Sequence, residues 1–182
     1  MNNKKICVMG LGYIGLPTSA MFATHGCQVI GVDINKEVVD ALNRGEIIVE
    51  EPYLDIMVQA AVRSGHLKAD TKPQEADAFV ITVPTPLKED KKADMSYVVS
   101  ATKAIVPFLK KGNIVILEST SPAGTVEELL VPILEKSGLV IGEELYVGHS
   151  PERVLPGKIL WELVNNNRIV GGVNRKSAEK IR

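Results

Sequence analysis

The stretch Gly10-Leu-Gly12-Tyr-Ile-Gly15 constrains this chain more than any other six residues. A G-x-G-x-x-G pattern alone is weak evidence. Here it follows the strand-like run "ICVMG" and opens a segment, residues 13–25, with apolar side chains at helical spacing. A second strand-like run, "QVIGVD", then ends in Asp33. Strand, glycine turn, helix, strand and terminal acid together form the dinucleotide-binding fingerprint. Gly10 permits the tight turn, Gly12 lets backbone approach a pyrophosphate, and Gly15 allows close helix–strand packing. The helix N-terminus offers amides without intrahelical acceptors and a positive dipole end. Asp33 would accept hydrogen bonds from the adenosine ribose, and its charge repels a 2′-phosphate. That favours NAD over NADP, tempered by the nearby cation Lys36. Methyltransferases also place an acid after the second strand, so this half of the chain does not fix a reaction.

The remaining sequence continues the alternation. "NKEVVDALNRG" reads as a helix capped by Asn35 and ended by Gly45, and Tyr53 to Ser64 as a further helix before Gly65. "HLKAD", "DAFVITV", "NIVILES", "ELYVGHS" and "RIVGG" read as strands. Between them fall a helix capped by Ser96 and bent at Pro107, one over Thr125 to Ser137 kinked at Pro132, and the short "KILWELV". "PTPLKEDKKADMS" reads as a mobile charged loop. Continuous apolar strands alternating with helices predict an α/β fold: a Rossmann-like, doubly wound parallel sheet with helices on both faces. The expected division is a dinucleotide-binding domain over 1–172, with 173–182 as the start of a helix leading to an absent central domain. That tail, "NRKSAEKIR", is expected to bury little.

Charge and cysteine content exclude several classes. The 182 residues carry a formal net charge of −1, which gives no general attraction to nucleic acid or anionic membrane. Ile6 to Val32 has no formal charge, but five glycines, Pro17, His25 and Gln28 interrupt it, so it offers no membrane span. The reading is a cytoplasmic protein. Cys7 and Cys27 lie in or beside apolar strand runs, where burial makes a thiol a poor nucleophile. No Cys or His spacing resembles a metal site.

In an open parallel sheet, ligands sit beyond the carboxyl ends of the strands. Three ends here are polar and stiffened by proline. "ITVPTP" leaves Thr82 and Thr85, "ILESTSPAG" leaves Glu118, Ser119, Thr120 and Ser121, and "YVGHSPER" leaves Ser150, Glu152 and Arg153. Taken singly each could be a cap or a turn; together on the coenzyme side they form the second wall of a site.

These residues resemble the UDP-glucose/GDP-mannose dehydrogenase family, the nucleotide-sugar 6-dehydrogenases. The matching segments are "GLGYIGLP", "GVDIN", "EEP", "VPTP", "ESTSPAGT" and "SPERVLPGKILWELVNN" with "RIVGG", in order along nearly the whole chain. "PERVLPGKIL" is most similar to the branch acting on UDP-N-acetyl-D-mannosamine. The resemblance implies oxidation of a sugar C6 hydroxyl to a carboxylate with two NAD, by way of a thiohemiacetal and a thioester on a cysteine. It implies NAD contacts at the backbone of Tyr13 and Ile14 and at Asp33, Thr85 and Thr120. It places Thr120 near the reacting centre and gives Glu152 the role of positioning or deprotonating water. Arg153 and Val154 would border the UDP-sugar. The whole protein would be a homo-oligomer.

The departure from the family pattern is large. The family's nucleophilic cysteine, its active-site lysine and most of its substrate contacts lie in later domains, and neither Cys7 nor Cys27 can stand in. The resemblance therefore implies a coenzyme domain that is inactive alone. Two alternatives stand beside it: a relative acting on UDP-glucose, UDP-N-acetylglucosamine or GDP-mannose, and a non-catalytic NAD-sensing module.

Overall fold

A computed structural model describes residues 4–182. Seven strands form one sheet in the order β3-β2-β1-β4-β5-β6-β7. In chain order these are β1 (Lys5–Met9), β2 (Gln28–Val32), β3 (Leu67–Asp70), β4 (Ala78–Ile81), β5 (Ile114–Leu117), β6 (Tyr146–His149) and β7 (Gly171–Gly172). All neighbours pair parallel except β6 and β7, which pair antiparallel, so the expected all-parallel sheet is corrected at one edge. The link between them carries one short helix, α6 (Ile159–Asn165), and β7 meets the sheet through only two residue pairs, Gly148–Gly172 and His149–Gly171.

Alternation along β1 shows why both faces are covered. Ile6 and Val8 point into one core, with α1 (Gly15–Thr24) and α3 (Leu54–Arg63). Cys7 and Met9 point into the other, with α4 (Ser96–Ile105) and α5 (Val131–Leu134). Phe79 and Leu117 are completely buried in the second core. Burying a side chain of that size contributes about 1.5–3 kcal/mol.

Several element ends differ from the sequence reading for local chemical reasons. Helix α1 begins at Gly15, so Tyr13 and Ile14 stay in the turn. Helix α2 (Lys36–Asn43) is capped as expected, the Asn35 side chain accepting from the Glu37 amide. Ser96 is not the cap of α4. It is the first helical residue, and its amide donates to Asp94 Oδ1 at 3.0 Å. Helix α4 ends at Ile105 and tightens into a 3₁₀ turn, Val106–Phe108, because Pro107 has no N–H to continue the α pattern. At the second proline the helix is not simply bent. A π-helical turn, Val126–Leu130, leads into α5, and Pro132 stands where an i→i−4 bond would otherwise form. The charged loop folds back on itself through an antiparallel bridge between Leu87 and Ala93.

The tail does more than the sequence reading allows. Helix α7 (Arg175–Ile181) is capped by Asn174 and packs on β6, with Ser177 fully buried. A side chain at Gly148 would strike Ile181 and the Gly171 carbonyl, which explains a glycine inside β6. Among the described residues, no helix is long and apolar enough to cross a membrane, and no His, Cys, Asp and Glu side chains group as a metal site.

Candidate functional site

The glycine turn is held from three directions. Gly10 adopts φ +99°, a region open to glycine, and its amide donates to the Val32 carbonyl at 2.7 Å. The Thr82 hydroxyl, at the end of β4, lies 3.0 Å from the Met9 carbonyl and 2.9 Å from that of Gly10. A Cβ at Gly15 would run into the Gly10 carbonyl, whereas a Cβ at Gly12 would meet nothing within 4 Å. The two glycines therefore serve different ends. Gly15 closes the helix onto the turn, and Gly12 leaves space open to the cleft.

Asp33 is aimed by backbone. Its Oδ2 accepts from the Leu11 amide at 3.0 Å and its Oδ1 from the Asn35 amide at 2.9 Å. Each oxygen keeps capacity for a further donor, which suits a vicinal diol. Lys36, the cation that tempered the coenzyme preference, pairs with Asp40 along α2.

The cleft above the sheet encloses about 1080 Å³. Gly10, Gly12, Tyr13, Ile14 and Asp33 line one half, and Thr85, Glu118, Thr120, Glu152 and Val154 line the other. The second half is stitched together: Thr85 Oγ1 donates to the Thr120 carbonyl at 2.8 Å, and Ser119 Oγ to that of Val83 at 2.7 Å. Of the residues singled out in the sequence, Gly15, Ser121, Ser150 and Arg153 stand apart from this lining. Gly15 is buried under the turn. The Arg153 guanidinium donates to the Asn167 carbonyl at 3.1 Å, and its amide to Glu152 Oε1 at 2.8 Å.

Two side chains carry structural weight that the sequence reading did not assign. Glu51, in "EEP", is buried, and its carboxylate accepts from the amides of Gly157 and Ile159, both at 2.7 Å. It pins the far end of the Glu152 loop to the body of the domain. Arg168 donates from one nitrogen to Glu118 Oε1 at 2.5 Å and from the other to Glu152 Oε2 at 2.6 Å. Burial pushes the Glu118 carboxyl above the usual carboxylate range, and Arg168 opposes the rise. The only sequence signal for this pair was a carboxylate closing the apolar run "NIVIL" and an arginine opening "RIVGG".

The fit to a dinucleotide rests on this geometry: an open cradle at Gly12, an aimed carboxylate at Asp33 and a polar second wall in one cleft. Fold and site together define a dinucleotide-binding α/β domain. The chain belongs to the UDP-glucose/GDP-mannose dehydrogenase family, whose NAD binding domain matches residues 4–182. The coenzyme is NAD. The UDP-N-acetyl-D-mannosamine dehydrogenase of Methanococcus maripaludis is 52% identical over 97% of this chain and 40% of its own length. The NDP-N-acetyl-D-galactosaminuronic acid dehydrogenase of Ralstonia solanacearum is 49% identical over 97% of this chain and 43% of its own length. The solved UDP-N-acetyl-mannosamine dehydrogenase of Staphylococcus aureus superposes with a TM-score of 0.93 at 51% identity, covering 96% of this chain and 43% of that one. The chain thus spans less than half the length of each of these three proteins.

Proposed function

We propose that this chain is the coenzyme half of an NAD-dependent dehydrogenase that oxidises the C6 hydroxyl of UDP-N-acetyl-D-mannosamine to the uronate, reducing two NAD per turnover. The observation that carries the reading is that Glu152 and Thr120 line the same cleft as Gly12 and Asp33. A group able to handle a proton thus shares a cavity with the phosphate cradle. Bound NAD would supply the hydride acceptor. Within the chain, the amides of the Gly12–Ile14 turn hold phosphate and Asp33 holds the adenosine ribose. Thr85 and Thr120 border the nicotinamide end. Glu152 positions or deprotonates water, and Val154 meets the sugar nucleotide. Arg153 does so after exchanging the Asn167 carbonyl for a ligand.

The 182 residues alone bind NAD without oxidising sugar, because both of their cysteines are buried, Cys7 in the core on one face of the sheet and Cys27 in the core on the other. The Ralstonia relative supports a second reading, in which the substrate is a different N-acetylated hexosamine nucleotide. The family resemblance carries the further reading of a cytoplasmic homo-oligomer that serves polysaccharide synthesis.

Calorimetry of this chain with NAD and NADP tests the coenzyme half; equal affinity for both counts against the role of Asp33. Assays of the full-length protein against UDP-N-acetylmannosamine and its epimers test the substrate. Sugar oxidation by the 182 residues alone would refute the division of labour. Intact turnover in full-length Glu152→Gln would favour a non-catalytic, NAD-sensing role for this loop.

A further inference from the structure

Glu152 is held at both carboxylate oxygens. Oε1 accepts from the Arg153 amide at 2.8 Å, and Oε2 from Arg168 at 2.6 Å. The first bond is local to the loop. The second comes from a side chain 16 residues away, and the same guanidinium reaches Glu118, 50 residues away, with its other nitrogen. Glu118 cannot wander: only 4% of its side chain is exposed, and its Oε2 lies 3.5 Å from the Thr18 hydroxyl of α1. The Glu152 amide also donates to the Glu118 carbonyl at 3.3 Å.

Two carboxylates this close repel when both are ionised, and a cation between them removes the repulsion. A planar fork suits that task, since its two nitrogens can serve two acids at once, and a lysine ammonium on a flexible stem cannot fix both in one geometry. Arg168 itself is not part of the cleft lining, whereas Glu118 and Glu152 are.

We propose that Arg168 is a positioning residue for Glu152: it bridges Glu152 to the buried Glu118 and so fixes the Glu152 carboxylate at the cleft wall. The bridge sets where Glu152 stands relative to the coenzyme cradle without touching a ligand. Its consequence for catalysis rests on the dehydrogenase reading above; the bridge itself does not.

The test uses Arg168→Met and Arg168→Lys. In the full-length protein, Arg168→Met lowers kcat on the order of 100-fold, the cost of misplacing a reacting group by about 1 Å. The KM for NAD stays within about 3-fold, because the coenzyme cradle is untouched; in free energy that is less than 1 kcal/mol. Arg168→Lys restores part of kcat. In the 182-residue chain, carbon-13 NMR of the glutamate carboxyls reads the bridge directly: in Arg168→Met the titration of Glu118 moves to higher pH, as its cationic partner is gone. An unchanged kcat in a folded Arg168→Met protein overturns the positioning role. If the wild-type full-length protein oxidises no sugar nucleotide, the dehydrogenase reading fails and the titration alone decides. A Glu118 titration unmoved by Arg168→Met then overturns the bridge.

Discussion

The Glu118 carboxylate and the Arg168 guanidinium meet at 2.5 Å, across 50 residues of sequence and at the boundary between the sheet and its ligand cleft. Glu118 ends up almost wholly enclosed, so its ionisation is linked to folding. Burial raises its folded-state pKa above the ordinary value of 4.5. A raised acid binds its proton more tightly in the folded chain. Its contribution to stability is therefore complete below about pH 4.5, the unfolded value, and is lost as pH rises through the folded value. We expect Glu118→Gln, which keeps shape and cannot ionise, to flatten this part of the stability–pH profile. Urea denaturation at a series of pH values reads the slope.

The two outer roles of the glycine turn can be separated by adding one methyl group at a time. Gly12→Ala meets no protein atom within 4 Å, so the fold is retained while NAD affinity falls, the methyl occupying the approach path of the phosphates. Gly15→Ala collides with the Gly10 carbonyl and loses stability itself, on the order of 1–3 kcal/mol for overpacking of this kind. Thermal melts and calorimetry with NAD on both variants distinguish the two. A Gly12→Ala chain that binds NAD normally would remove Gly12 from the cradle.

Glu51 predicts a change in the loop rather than in the coenzyme site. Glu51→Ala leaves the amides of Gly157 and Ile159 without their acceptor. Each charge-assisted bond of this type contributes about 1.5–3 kcal/mol. The 153–158 segment should loosen, and trypsin should cut after Arg153 or Lys158 much faster than in the wild type. Mass spectrometry of a short digest identifies the cut; an unchanged digest pattern rejects the tether.

Both cysteines should be silent in the folded chain. Cys7 is fully buried, and burial pushes its thiol up to about 11; Cys27 is nearly as enclosed, and its pKa is raised for the same reason. A thiolate is the reactive form, so at pH 8 a disulfide reagent should label neither until denaturant is added. Rapid labelling of native protein would contradict the argument that neither can act as the nucleophile.

The sequence by itself determined the alternation of elements, the glycine turn and its partner Asp33, because these depend on local spacing: a period of two or 3.6, a glycine where φ is positive, an acid at a strand end. It also marked the three polar strand ends that line the second wall, since parallel pairing brings every such end to one edge. It misplaced what depends on competing neighbours. Ser96 opens α4 without capping it, its amide donating to Asp94, and a π turn rather than a plain kink precedes Pro132. What only the tertiary structure decided is how distant charges pair. Glu51 reaches 106 residues forward to Gly157, and Arg168 gathers Glu118 and Glu152 from two different loops. A carboxylate or guanidinium has no periodicity that announces its partner. Its partner is settled when the sheet order places two chain segments side by side and burial makes an unpaired charge too costly to leave.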